Sequence, residues 1–414
     1  MIIVSDIVTI EDRGKYQGIF GAVIALANGT GPFVGGALVD SVSWHWVFWI
    51  VPMLAVPAAL LIFFFLPLQY EKGNYKEKVK KIDYGGIVLN LAAVLLILIP
   101  LSGGGVQYPW NSPLIIAMLS VGGCTAIAFV LYEWKVAQVP IMPVRLVNYP
   151  YCWALYVQNF FTGMCFFGNF FYLPIYFQSV LGLSALVSGA LLLPLIMATS
   201  FTGIVSGQIM SRRGRYWWIC VSGFVLWTLG TGLKCAFNRS TKIWHIVLVL
   251  LVEGMGIGNI LQSTLVAILA NGNNSDRAVA TGLRNFIRTI GGAFGLIISG
   301  AILANTLDTR LSHLPFMTPE ILRNLTSSTY SLDKLGFDGK QMDLVLDTYI
   351  AGIRYIYILY TASAATNLFL CAWIGNTNLR GKPPTENDVE VNEESAPSIQ
   401  QVQETSKEAE ANKV

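Results

Sequence analysis

The chain has 414 residues, of which 54% are hydrophobic and 12% charged, with a formal net charge of +3 at pH 7. A soluble domain carries about 25% charged residues, so this composition excludes an ordinary soluble globular protein and points to a membrane. The charge is too small for a nucleic-acid binder, and the six cysteines lie mainly inside apolar runs, with no spacing that suggests a disulfide frame or a metal site.

Residues 1–8 are too short to cross a bilayer and read as the last turns of a further helix. The first spanning stretch contains Gly18 to Gly36, GIFGAVIALANGTGPFVGG. At helical spacing Gly18, Ala22, Ala25, Gly29, Pro32 and Gly36 share one face, and Gly21, Asn28, Gly31 and Gly35 lie beside it. A helix with no bulk along a seam admits another backbone closely, which is how membrane helices associate. Pro32 lacks an N–H and crowds the carbonyl of Asn28, so a bend is predicted there.

Ten spans follow from runs of roughly 20 apolar residues: 16–38, 46–67, 84–101, 113–133, 152–178, 185–210, 217–236, 244–268, 279–303 and 351–374. Lys and Arg in alternate short connections set the orientation. Arg13, Lys15, the lysines of 68–83, Lys135, Arg145, Arg212, Arg213, Arg215 and Arg277 fall on one side, read as cytoplasmic. The opposite loops 39–45, 102–112 and 179–184 hold none, and Arg239 and Lys242 break the pattern. Residues 304–350 read as one long external loop, 68–83 as a basic cytoplasmic linker and 380–414 as a disordered cytoplasmic tail.

No catalytic constellation and no phosphate-binding loop is present, so the chain reads as no enzyme. Polar groups inside spans are costly and tend to face a cavity. Arg284 and Arg288 stand one turn apart, about 16 Å into their span, and continue into the small seam Gly291, Gly295 and Ser299. They are either structural, bonded to the carbonyls of a neighbouring helix, or bind substrate or bias a buried carboxylate. Glu253, in EGMGIGN, is the obvious carboxylate: burial favours its proton and a nearby arginine its release. Gln158, Asn159, Asn169 and Gln178 alternate with aromatic rings in a pattern suited to an amphipathic, partly aromatic substrate. Pro174 and Pro194 are expected to kink their helices. A helix ending at Gly207 is expected to lead into the basic turn Arg212, Arg213, Gly214 and Arg215.

Together these pieces resemble the major facilitator superfamily, in particular the fungal fourteen-span drug:proton antiporter type. GTGPFVGGAL resembles the antiporter motif on the fifth span, with Gly31, Pro32, Gly35 and Gly36 matching and Ala27 at its leading glycine. WHWVFWIVP resembles the start of the sixth span, with His45 where Arg is usual and Val51 where Asn is usual. YLPIYFQSVLGLSALVSGALLLP resembles the ninth-to-tenth segment, GQIMSRRGRY the second-half loop motif and TGLRNFIRTIGGAFG the thirteenth span.

The resemblance implies an all-α polytopic membrane protein, a facilitator-like helical bundle with about ten spans present. The first three spans and most of the fourth are expected to be missing. It divides the chain into a first-half remnant (1–67), the linker (68–83), two extra spans (84–133), a second six-helix half (134–379) and the tail (380–414). The function it implies is export of small organic compounds or drugs by proton antiport and alternating access. No cofactor is expected, only a proton gradient. The expected partners are an amphipathic small molecule and the lipid bilayer, with no nucleic acid, in a monomer. The plasma membrane is the expected location, with the vacuolar membrane the alternative. Two other readings stay open: a membrane sensor or scaffold that does not transport, and an uptake carrier for siderophores or basic amino acids.

Overall fold

The computed structural model describes residues 23, 27, 30–65, 82–105, 108–137, 139–273, 276–318, 321, 325 and 338–377. The remnant helix before the first span, most of Gly18–Gly29, the linker up to Lys81 and the tail 380–414 lie outside them. The described residues form helices α1 (30–41), α2 (His45–Phe65), α3 (Tyr84–Gly103), α4 (Pro113–Lys135), α5 (Val144–Val147), α6 (Cys152–Ile175), α7 (Ala185–Arg213), α8 (Trp217–Lys234), α9 (Ile243–Asn271), α10 (Arg277–Leu311) and α11 (Gly339–Leu370). Eight of these helices are long and apolar enough to cross a membrane, and α8, at 18 residues, reaches about 27 Å.

Three expectations are corrected. The segment 304–350 is not one loop, because α10 continues to Leu311 and α11 begins at Gly339. These extensions are helical because they carry their own buried stripe, Leu307 and Leu311 on one and Val345 and Tyr349 on the other. The 152–178 span is not a single α-helix. After Pro174, which cannot donate to the preceding turn, the backbone widens into a π-helical turn, Tyr176–Val180. Nor does α7 end at Gly207. It runs to Arg213 and stops at Gly214, whose left-handed backbone (φ 66°) lets its N–H reach the Met210 carbonyl at 2.8 Å.

Helices α6 to α11 form one bundle, and glycines decide who touches whom. On α9, a Cβ added to Gly256 would lie 2.5 Å from the Trp227 nitrogen of α8. Gly254 and Gly258 hold the same relation to the Leu195 and Thr199 carbonyls of α7. These three glycines belong to the EGMGIGN run, so α9 is clasped between two backbones. On α10, Gly291 and Gly295 lie against the Phe160 and Met164 backbone of α6, and Gly163 of α6 lies against the Arg288 carbonyl.

Hydrogen bonds attach α11: Gln158 Nε2 to the Asn367 carbonyl (2.8 Å), and Ser299 Oγ to Tyr360 OH (2.8 Å). The α3–α4 hairpin closes through Gly122, which sits on Leu96 and Ile97. It joins the bundle where Asn305 of α10 donates to the Gly104 carbonyl at 3.2 Å. At the basic end, Asp276 accepts from Arg145 (2.7 Å) and from the Tyr149 hydroxyl (2.8 Å).

Candidate functional site

The densest polar constellation lies inside the α6–α11 bundle. Lys234 is the last residue of α8, yet its side chain is 0% exposed, as is that of Glu253. Gly230, one turn before Lys234, clears the space, since a Cβ there would fall 2.7 Å from that of Glu253. Lys234 Nζ reaches Glu253 Oε1 at 2.9 Å. The same oxygen accepts from Asn169 Nδ2 of α6 (3.1 Å) and from Trp227 Nε1 of α8 (3.2 Å). Lys234 also donates to Asn169 Oδ1 and lies 4.7 Å from the ring centroid of Tyr357 on α11.

Four helices therefore meet on one ion pair. All its donors converge on Oε1; Glu253 Oε2 and the Tyr357 hydroxyl are buried with no hydrogen-bond partner among the described residues. Burying an ion pair is costly unless its hydrogen bonds are filled, and removing one partner costs more than removing both. A carboxylate with one satisfied and one free oxygen can hold a proton on the free one without losing its other contacts.

The arginines are elsewhere. Arg284 is buried and donates through Nη2 to the Leu261 carbonyl (2.7 Å) and to Thr264 Oγ1 (3.2 Å), both on α9. Of the two roles open to it, the structure gives the bond to a neighbouring carbonyl, though α9 is continuous there. Leu261 and Thr264 follow Glu253 by 8 and 11 residues, roughly 12–16 Å along the helix. The cation next to Glu253 is thus Lys234, not an arginine. Arg288 is partly buried, and its Nε, like that of Arg284, has no acceptor among the described residues.

The four amides separate as well. Asn169 belongs to the ion pair. Gln158 ties α6 to α11, Asn159 donates to the Leu155 carbonyl of its own helix (2.7 Å), and Gln178 reaches Ser188 Oγ of α7 at 3.4 Å. Beside Gln178, in the π turn, is a cavity of about 240 Å³ lined by Phe170, Phe171, Pro174, Ile175 and Ser179. In the basic turn, Arg212 and Arg213 form the last turn of α7, and Gly207 lies inside that helix.

The described part of the glycine-proline seam meets the bundle at one place. The Pro32 carbonyl faces Gly189 of α7, and a Cβ on Gly36 would lie 2.6 Å from the Ala185 carbonyl. Asp40 Oδ2 accepts from the Leu186 N–H at 2.7 Å, where the first turn of α7 leaves donors free. Gly31 and Gly35 point away: among the described residues nothing lies within 4 Å of a Cβ built on either.

Lys234, Tyr357 and Asp40 were not singled out from the sequence. Lys234 was legible in one respect, because a carboxylate deep in a span requires a cation, and this lysine closes the neighbouring span.

A family model described as Major Facilitator Superfamily matches residues 1–296. The chain belongs to that superfamily. Among curated relatives this facilitator is 37% identical to Citrate exporter 1 of Yarrowia lipolytica over 91% of its own length and 54% of the relative's. It is 32% identical to MFS-type transporter clz4 of Cochliobolus lunatus, over 98% of its own length and 71% of the relative's. It is also 32% identical to Efflux pump dotC of Dothistroma septosporum, over 91% and 65%. The facilitator thus spans between half and three quarters of the length of these relatives. It is an integral, multi-pass membrane protein of a transporter family.

Proposed function

We propose that the chain is the membrane core of an exporter of small organic compounds that works by alternating access. The observation that carries this reading is the α1–α7 contact. Pro32 and Gly36 pack backbone to backbone on the first turns of α7, and Asp40 holds the Leu186 N–H. A seam without side chains separates and re-forms with little repacking. In a protein of two helical halves, α1 belongs to one and α7 to the other, so this contact is where one side of the pathway closes. The relatives, a citrate exporter and an efflux pump, support export and suggest an organic acid or an amphipathic metabolite as cargo. The aromatic cavity beside Gln178 suits the apolar part of such a molecule.

Proton antiport is the coupling we assign, with Glu253 as carrier. A proton on Oε2 neutralises Glu253 and leaves the Lys234 ammonium with neutral partners only: Glu253 Oε1, Asn169 and the Tyr357 ring. A buried cation without its counter-charge is strongly unfavourable, so loading the proton drives the cluster toward water. The seam and the cluster are built on the adjacent helices α7 and α9.

Inside-out vesicles carrying the chain test both parts. Uptake of labelled citrate and of a fluorescent amphipathic cation is followed with and without a proton gradient. Gradient-driven accumulation of either, lost in Glu253→Gln while substrate exchange without a gradient persists, is the expected result. Equal loss of driven transport and exchange makes Glu253 a structural clamp. Accumulation of neither substrate removes the export reading.

A further inference from the structure

At the end of the bundle opposite the Arg145–Asp276 pair, the loop after α8, the end of α10 and the first half of α11 enclose a pocket of about 400 Å³. Three arginines, Arg239, Arg310 and Arg354, line it with one carboxylate, Asp347. Asp347 and Arg354 share one face of α11, seven positions apart, so that helix presents both to the same space.

The two walls differ in charge balance. Arg239 is fixed: Nη1 meets Asp343 Oδ1 at 2.5 Å, Nη2 meets Asp347 Oδ1 at 3.1 Å and also donates to the Asp343 carbonyl. Its Nε is buried with no acceptor among the described residues. Arg310 instead leans on a neutral group, donating to the Tyr355 hydroxyl at 3.2 Å with its guanidinium 6.0 Å from that ring's centroid. Among the described residues no carboxylate lies within ion-pair distance of Arg310 or Arg354. Two guanidinium groups thus line one pocket with no ion-pair partner among the described residues, opposite a third whose Nε is open.

A guanidinium fork matches the planar oxygens of a carboxylate. Of the eight lining residues only Ile350 and Ala351 are apolar, so the pocket offers no groove for an acyl chain. We infer that this pocket is a binding site for a small soluble organic acid, taken through its carboxylate between Arg310 and Arg354. By the orientation of the basic loops it opens on the outer face. It is separate from the Lys234–Glu253 cluster and from the α1–α7 seam, and the inference does not rest on the transport reading.

The test is equilibrium binding of succinate to the purified chain in nanodiscs of neutral phosphatidylcholine, with no gradient present. Saturable binding is expected. Arg354→Gln, a change at an exposed helical position, is expected to weaken it at least tenfold with an unchanged melting temperature, and Arg310→Gln to do the same. Arg213→Gln, at the opposite end, is expected to bind like the parent. Absence of saturable binding, or parental affinity in both the Arg310 and Arg354 variants, overturns the site. Inorganic phosphate binding equally well, with the same dependence on Arg354, overturns the carboxylate assignment in favour of a general oxyanion site. Loss of succinate binding on adding phosphatidylserine to the nanodisc overturns it in favour of a lipid headgroup.

Discussion

Two glycine-rich helices, α9 and α1, have similar local sequences and different surroundings. In α9 each of Gly254, Gly256 and Gly258 touches a neighbouring backbone, two on α7 and one on α8. In α1, Gly36 is in such contact, while Gly31 and Gly35 meet nothing among the described residues. The difference teaches that a small-residue seam states only that close approach is possible. In the bundle those approaches are all taken and they lock the helices. At α1 the approach is confined to about one turn of α7, which suits a contact that must open.

The largest expected effect breaks the locked region at its charge. Lys234→Met leaves Glu253 buried and unpaired, and is expected to cost about 3–5 kcal/mol. The double variant Lys234→Met with Glu253→Met is expected to recover most of that loss. Denaturant titration of the reconstituted protein measures both, and a double variant as unstable as the single one would show that the pair is not the unit. Next in size, Gly256→Ala drives a methyl into the α8 backbone and is expected to cost about 1–3 kcal/mol. Gly31→Ala, the matching change in α1, is expected to stay within about 0.5 kcal/mol. Equal losses at the two positions would erase the contrast between the helices. Gly189→Leu, at the seam, is expected to abolish vesicle transport while lowering the melting temperature less than Gly256→Ala does. The smallest expected effect is Asp40→Asn, which keeps the acceptor for Leu186 but removes its charge. A fall of about 1–2 °C in melting temperature is expected.

Much of the fold was legible because span length and apolar content are imposed by the bilayer thickness. Helices α2 to α4 and α6 to α9 fall within a few residues of their expected limits. The ends of α10 and α11 were not legible, because beyond the bilayer their turns alternate polar and apolar residues, as in TLDTRL, and read as loop. Glu253 was recognisable as a buried carboxylate, since it lies inside an apolar span. Its partner was not legible, because the sequence does not say which residues of neighbouring helices lie at the same level and face one another. Arg284 meets α9 at Leu261 and Thr264, about 12–16 Å along that helix from Glu253. Lys234, not singled out from the sequence, reaches Glu253 across the gap at Gly230.

The central claim, that the α1–α7 contact opens and closes during transport, is tested most directly by a cross-link. Asp40→Cys and Leu186→Cys replace residues whose atoms meet at 2.7 Å, in a background stripped of the six native cysteines. A disulfide that forms readily in resting vesicles, forms less under a proton gradient with substrate, and stops transport once formed is the result predicted here. A cross-link that forms equally in every condition and leaves transport intact would contradict it.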